Sequence, residues 1–219
     1  METARDNRFA SHPRRPRGRA IRLRAAALAG WLVCAPAGAW AFTTVVIDPG
    51  HGGIDRGGIP GQRVPEKVMT LDTAFRLQAL LRAAGFRTVM TRTGDYFVSL
   101  PERVAIANAQ RDAIFISLHY NAAPNSGAEG FETYYYNRNS ARLASACYSM
   151  IVRAWPGSRR GVRVRGFFVI RRTRIPAVLV EPGFLTNWRE ASLIQRPEMR
   201  QRVATLLAAA IISRRHSRM

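Results

Sequence analysis

Three side chains with metal-binding chemistry stand out by where they fall in the chain: His51, Glu66 and His119. His51 lies in Pro49-Gly50-His51-Gly52-Gly53, directly after the β-branched, apolar run Thr44 to Ile47. Such a run suits a strand covered on both faces, and the proline and glycines end its pairing at once. His119 closes a second run of this kind, Ala113 to Leu118. Glu66 follows Pro65 at the start of a helical pattern, where a negative charge suits the helix N-terminus. Two imidazoles and one carboxylate leave the fourth position of a tetrahedral zinc open, the arrangement of a catalytic site. Zinc held this way polarises a carbonyl and lowers the pKa of a water to about 7. A base must still be supplied, and Glu181, at the end of the apolar run Ala177 to Val180, is the best placed. Taken singly, each residue also fits a plainer role: a loop histidine, a helix-start acid, a strand-end cap. The metal reading gains weight because both histidines follow buried strands, the ends at which open α/β sheets build their sites.

The elements that must position these groups follow from the pattern. Strands are expected over 42–48, 86–91, 113–118, 130–136, 167–170 and 177–180. Helices are expected over 65–84, 100–109, 140–155 and 198–213; in the first, Val68, Leu71, Ala74, Phe75, Leu77, Leu81 and Ala84 repeat at three and four. Strands alternating with helices predict an α/β fold, a largely parallel mixed sheet of about six strands sandwiched between helices.

Length and charge set the frame. The 219-residue chain opens with eight arginines in its first 24 residues, then runs uncharged from Ala25 to Ala39-Trp40-Ala41. A basic segment, an apolar core and an Ala-x-Ala end describe a signal peptide over 1–41, cleaved after Ala41. The 17-residue apolar run, broken by Pro36, falls short of the roughly 20 residues that span a bilayer, so no stable membrane insertion is expected. Residues 42–219 then form one domain. They carry 26 basic and 12 acidic side chains, which favours an anionic partner in the periplasm or outside the cell. No nucleic-acid motif is present, and export argues against that partner. Cys147 is the one cysteine left, in an apolar helical run, so neither a disulfide nor a reactive thiol is expected.

Four motifs taken together identify a family. Val46-Ile47-Asp48-Pro49-Gly50-His51-Gly52-Gly53, Glu66-Lys67, Ser117-Leu118-His119-Tyr120-Asn121-Ala122 and Val180-Glu181-Pro182-Gly183-Phe184-Leu185-Thr186-Asn187 resemble, in this order, the zinc-dependent N-acetylmuramoyl-L-alanine amidases. The likeness extends to Thr91-Arg92, Leu100 to Arg103 and Arg171 to Val180. It implies that His51, Glu66 and His119 bind one zinc ion and that Glu181 is the catalytic acid/base. It also implies peptidoglycan as substrate, cut at the amide between the lactyl group of N-acetylmuramic acid and L-alanine of the stem. The alternatives are another zinc-dependent cell-wall peptidase and a non-catalytic peptidoglycan-binding regulator. Asn121 is a candidate for a hydrogen bond near the metal, although a turn asparagine fits as well. Arg171, read as following a strand, is a candidate partner for a stem-peptide carboxylate, within a cluster with Arg163, Arg165, Arg172 and Arg174. Tyr120 and Pro182 depart from the family pattern, and Tyr120 is expected to narrow the cleft. Some members carry a helix that blocks the zinc; here 137–176 offers one ordinary helix and an arginine-rich loop, so activity without an activator is expected.

Overall fold

The computed structural model describes residues 42–59, 62–153 and 155–215, all within one compact unit. The signal-peptide expectation over 1–41 lies outside the described residues. Strands β1 (Thr44–Pro49), β2 (Arg87–Met90), β3 (Ala113–Leu118), β4 (Phe131–Tyr135), β5 (Arg159–Val164) and β6 (Ala177–Pro182) form one sheet in the order β2-β1-β3-β6-β4-β5. Every pairing is parallel except β4 with β6, so the expected mixed, largely parallel sheet is present. β1, β3 and β6 are the central strands, and their apolar runs alternate between two cores. Val45, Ile47, Ile116 and Val180 face one core, while Val46, Phe115 and Leu179 face the other.

Helices α1 (Glu66–Ala83), α3 (Ala141–Val152) and α6 (Pro197–Arg214) cover the first face; α2 (Leu100–Asn108) and α4 (Phe168–Arg172) cover the second. A short helix α5 (Trp188–Ile194) joins β6 to α6, with the Asn187 side chain capping it through the Arg189 and Glu190 amides. Among the described residues no helix is long and apolar enough to cross a membrane.

Two expectations are corrected. Residues 167–170 are not a strand: α4 buries the adjacent residues Val169 and Ile170 in the same core, which a strand's alternation forbids and a helical turn allows. A short apolar run carries no periodicity long enough to tell the two apart. Conversely, 159–164, read as part of an arginine-rich loop, is the edge strand β5, where one side needs no partner and charge guards against wrong pairing.

Helix α1 is also rotated relative to its apolar pattern. It buries Glu66, Thr70, Thr73, Leu77 and Leu81, spaced at three and four, and leaves Val68 and Phe75 exposed. The threonine hydroxyls are satisfied by the Gly50 and Met69 carbonyls and the Tyr120 hydroxyl, so two polar residues sit in the buried stripe at little cost. Glu66 heads that stripe, and this is what aims it at the sheet.

Candidate active site

The site forms at the C-terminal ends of β1, β3 and β6. His51 adopts a left-handed backbone, φ 61°, which is costly for a side chain larger than glycine's and must be held from outside. Two buried arginines hold it. Arg92 donates to the Pro49 and Gly50 carbonyls at 3.0 and 2.8 Å. Arg103, presented by the Ser99/Glu102-capped α2, donates to the Pro49 and His51 carbonyls at 2.6 and 2.7 Å and to the Asp48 carboxylate at 2.7 Å. Asp48 also accepts from the Thr91 and Ser117 hydroxyls. The turn's carbonyls, cut off from water, are thus satisfied by guanidinium groups. Gly50 is required here for a close approach: a Cβ would fall 2.3 Å from the His119 ring. The glycine makes room for the second histidine.

His51, Glu66 and His119 converge, each offering a ligand atom within 4.8 Å of the others'. Glu66 Oε2 lies 3.1 Å from His51 Nε2, and Glu66 Oε1 lies 2.9 Å from His119 Nδ1. Donors bound to one tetrahedral zinc at about 2.0–2.1 Å stand a little over 3 Å apart; the two histidine–glutamate separations are close to that, and two imidazoles with a carboxylate are a donor set that ion takes. The other ring nitrogen of His51 meets Asp55 Oδ2 at 2.9 Å, and Asp55 Oδ1 accepts from the Gly57 amide. A carboxylate on the far nitrogen of an imidazole fixes its tautomer and raises its basicity toward a metal. Burial opposes charge on Glu66, yet the hydrogen bonds from His119 and His51 outweigh it and bring its pKa down to about 2. Burial likewise works against charge on His51, but Glu66 and Asp55 beside it hold the imidazole above its ordinary range. The protons held there are those that a metal ion displaces.

Glu181 ends β6 on the strand next to β3, where the His119 amide donates to the Val180 carbonyl at 3.0 Å. Among the described residues its carboxylate has no hydrogen-bond partner. Burial, then the charges of Glu66 and Glu132, push its pKa up to about 8, against the pull of His51 and Arg160. A carboxyl group raised this far can both take and return a proton near neutral pH. An open groove of about 500 Å³ runs beside the triad rather than over it, lined by Ile59, Val64, Pro124, Leu185 and Trp188. Its walls are the segments that leave β1, β3 and β6, so it is continuous with the end of the sheet that carries the chemistry.

The sequence profile of the N-acetylmuramoyl-L-alanine amidases matches residues 45–213. The chain belongs to that family. It is 37% identical over 174 residues to N-acetylmuramoyl-L-alanine amidase LytC of Bacillus subtilis, covering 78% of this chain and 35% of LytC. It is 38% identical over 160 residues to the probable cell wall amidase LytH of Staphylococcus aureus, covering 72% of this chain and 53% of LytH. The chain thus spans about a third to a half of these relatives. The solved catalytic domain of the amidase CwlV from Bacillus (Paenibacillus) polymyxa superposes with a TM-score of 0.75 at 33% identity, covering 78% of this chain and 97% of that one. Amidase AmiC2 of Nostoc punctiforme gives 0.73 at 34% identity, covering 80% and 98%.

Within this amidase-family fold the remaining candidates separate. Asn121 does not reach the triad; its amide donates to Glu132 Oε2 at 2.7 Å, and its backbone ties β3 to the Gly183–Leu185 turn. Arg171 is exposed on α4, which precedes β6 at the end of the sheet opposite Glu181. Six strand residues, about 20 Å, separate the two ends, so the structure does not bring Arg171 to the site. Tyr120 does not line the cleft either: it is 2% exposed, its hydroxyl bonds Thr73 inside the core, and its amide donates to Glu66. Sequence reasoning missed two buried acids. Glu190 accepts from the Gly130 and Phe184 amides and the Trp155 indole, and so shapes the turn after Glu181. Its signal was Asn187 three residues earlier, a helix cap. Glu132 faces Glu181 across the β4–β6 pair, and nothing in a strand of aromatics marked it.

Proposed function

We propose that this chain is an exported, zinc-dependent N-acetylmuramoyl-L-alanine amidase of the cell wall, periplasmic or extracellular. It would hydrolyse the amide between the lactyl group of N-acetylmuramic acid and L-alanine of the stem peptide in peptidoglycan. The observation that carries this reading is the convergence of His51, Glu66 and His119 beside an unpaired, high-pKa Glu181, in a chain of the amidase family. Zinc, when held by these three residues, polarises the scissile carbonyl and acidifies a water. Asp55 orients His51, and the Tyr120 amide and both histidines orient Glu66. Glu181 takes the proton of the attacking water and delivers it to the departing alanine nitrogen. The basic surface suits an anionic wall polymer. Between β4 and β6 the described residues form a 3₁₀ turn, α3, β5 and α4, with α3 packed into one core and α4 into the other, and activity without an activating partner is the expectation that goes with this reading.

The test is digestion of sacculi by the purified chain with zinc, read by mass spectrometry. Free stem peptides beginning with L-alanine and intact glycan strands are expected, with no added protein. Cuts inside the stem would replace this reading with a zinc peptidase, and zinc binding without any cut would leave a wall-binding regulator.

A further inference from the structure

Across the sheet the chemistry lies in a row: His51 and His119 after β1 and β3, Glu181 on β6, Glu132 on β4, and Arg160 and Arg163 on β5. Strands are about 4.8 Å apart, so the arginine pair lies about 10 Å beyond the strand of the acid/base. Glu132 is 4% exposed and accepts from Asn121 at 2.7 Å and from the Tyr134 hydroxyl at 2.5 Å. Its other oxygen is approached by Arg160 Nε at 3.1 Å and Arg163 Nε at 3.2 Å. One carboxylate thus faces two guanidinium groups, leaving one positive charge in surplus.

The Nη atoms, which form the fork that grips a carboxylate, are barely used. Arg160 Nη1 reaches the Glu129 carbonyl at 3.4 Å and Arg163 Nη2 the Arg160 carbonyl at 3.3 Å, while the other Nη of each has no hydrogen-bond partner among the described residues. Both side chains are partly open to solvent, at 34% and 43%. The Phe184 ring, with the Arg160 guanidinium 5.0 Å from its centroid, holds that group in place. The pair exists because of a bulge. Residues three apart on a regular strand point to opposite faces, but Arg159 pairs with Phe131 and Gly161 with Glu132, so Arg160 is an extra residue. Gly161, at φ 102°, provides the backbone that allows it.

We infer that Arg160 and Arg163 form a subsite for a carboxylate of the stem peptide on the leaving-group side of the scissile amide. The inference rests on the proposed amidase reading. Glu181 returns its proton to the departing nitrogen, so the peptide extends from the β6 side toward β4 and β5. The lactyl carboxyl is consumed in the amide, which leaves the sugar side without this charge. The γ-linked glutamate that follows alanine carries an α-carboxyl group, free in some walls and amidated in others. A free one completes a charge-assisted, two-arginine grip.

Two soluble muropeptides that differ only at that carboxyl, free or amidated, test the subsite. The wild type with zinc is expected to favour the free acid in kcat/KM by about ten- to a hundredfold. The Arg160→Gln/Arg163→Gln double variant should bring the two substrates within about threefold, mainly by raising KM for the acid. Absence of a preference in the wild type, or equal losses on both substrates in the variant, would overturn the subsite while leaving the amidase reading intact. If the wild type cleaves neither muropeptide, the amidase reading fails. Calorimetric titration of the metal-free protein with the free and amidated stem peptides then still decides the subsite: tighter binding of the acid supports it and equal binding overturns it.

Discussion

Two pairs of arginines sit on either side of Glu181 and are used in opposite ways. Arg92 and Arg103 are buried, at 0% and 3% exposure, and spend most of their donors on carbonyls of the His51 turn and on Asp48. Arg160 and Arg163 stand on an edge strand, contact one carboxylate through Nε, and keep donors in reserve. A guanidinium enclosed by carbonyls acts as structure, whereas one that meets a single acid at the rim retains charge for something else. The contrast shows that an arginine count or a net charge says little about role. The number of donors already satisfied says more.

The sharpest way to break this division is to act on the residue between the two pairs. Glu181→Gln is expected to retain zinc, measured by metal content, and to lower turnover by about 10²–10⁴-fold, the usual contribution of an acid/base. His119→Ala should lose both metal and turnover. The next effect concerns stability. Arg103→Leu removes the ion-pair partner of buried Asp48 and the side-chain donors to the His51 and Val98 carbonyls, so urea unfolding should show a loss of about 3–5 kcal/mol. Arg163→Leu, at the rim, should cost less than about 1 kcal/mol. Equal losses would erase the distinction between the two pairs.

The smallest effect concerns proton linkage. In the metal-free protein Glu181 ionises at about 8, against an ordinary value of 4.5, so between these values the folded state keeps a proton that the unfolded chain has released. That contribution is complete below the unfolded value and lost as pH rises through the folded one. Glu181→Gln cannot ionise. It should therefore exceed the parent in stability near pH 9 and match it near pH 4.

Much of the site was legible because its residues lie where the chain changes character. His51 and His119 each follow a buried run, Glu66 opens a helix, and Glu181 closes a strand, so order and spacing alone put them at element ends. Less legible was anything that depends on which face an element presents. The apolar residues of α1 pointed to Val68 and Phe75, which are exposed, whereas packing chose the stripe headed by Glu66. Arg171 looked like a site residue only while 167–170 read as a strand; as part of α4 it belongs to the far end of the sheet. The expected role for Tyr120 failed for a similar reason, since its place beside the triad in sequence says nothing of the core it turns into.

The sequence by itself determined the layered α/β plan and the family, and it pointed to His51, Glu66, His119 and Glu181 as candidates for a metal site and its acid/base, because local patterns are written residue by residue. Tertiary structure decided how that chemistry is held and extended. Arg92 and Arg103 reach the His51 turn from elements 41 and 52 residues further on, and Glu132 meets Glu181 from 49 residues earlier. The bulge at Arg160 is a matter of register between two strands, and register is a property of the pair that neither strand carries alone.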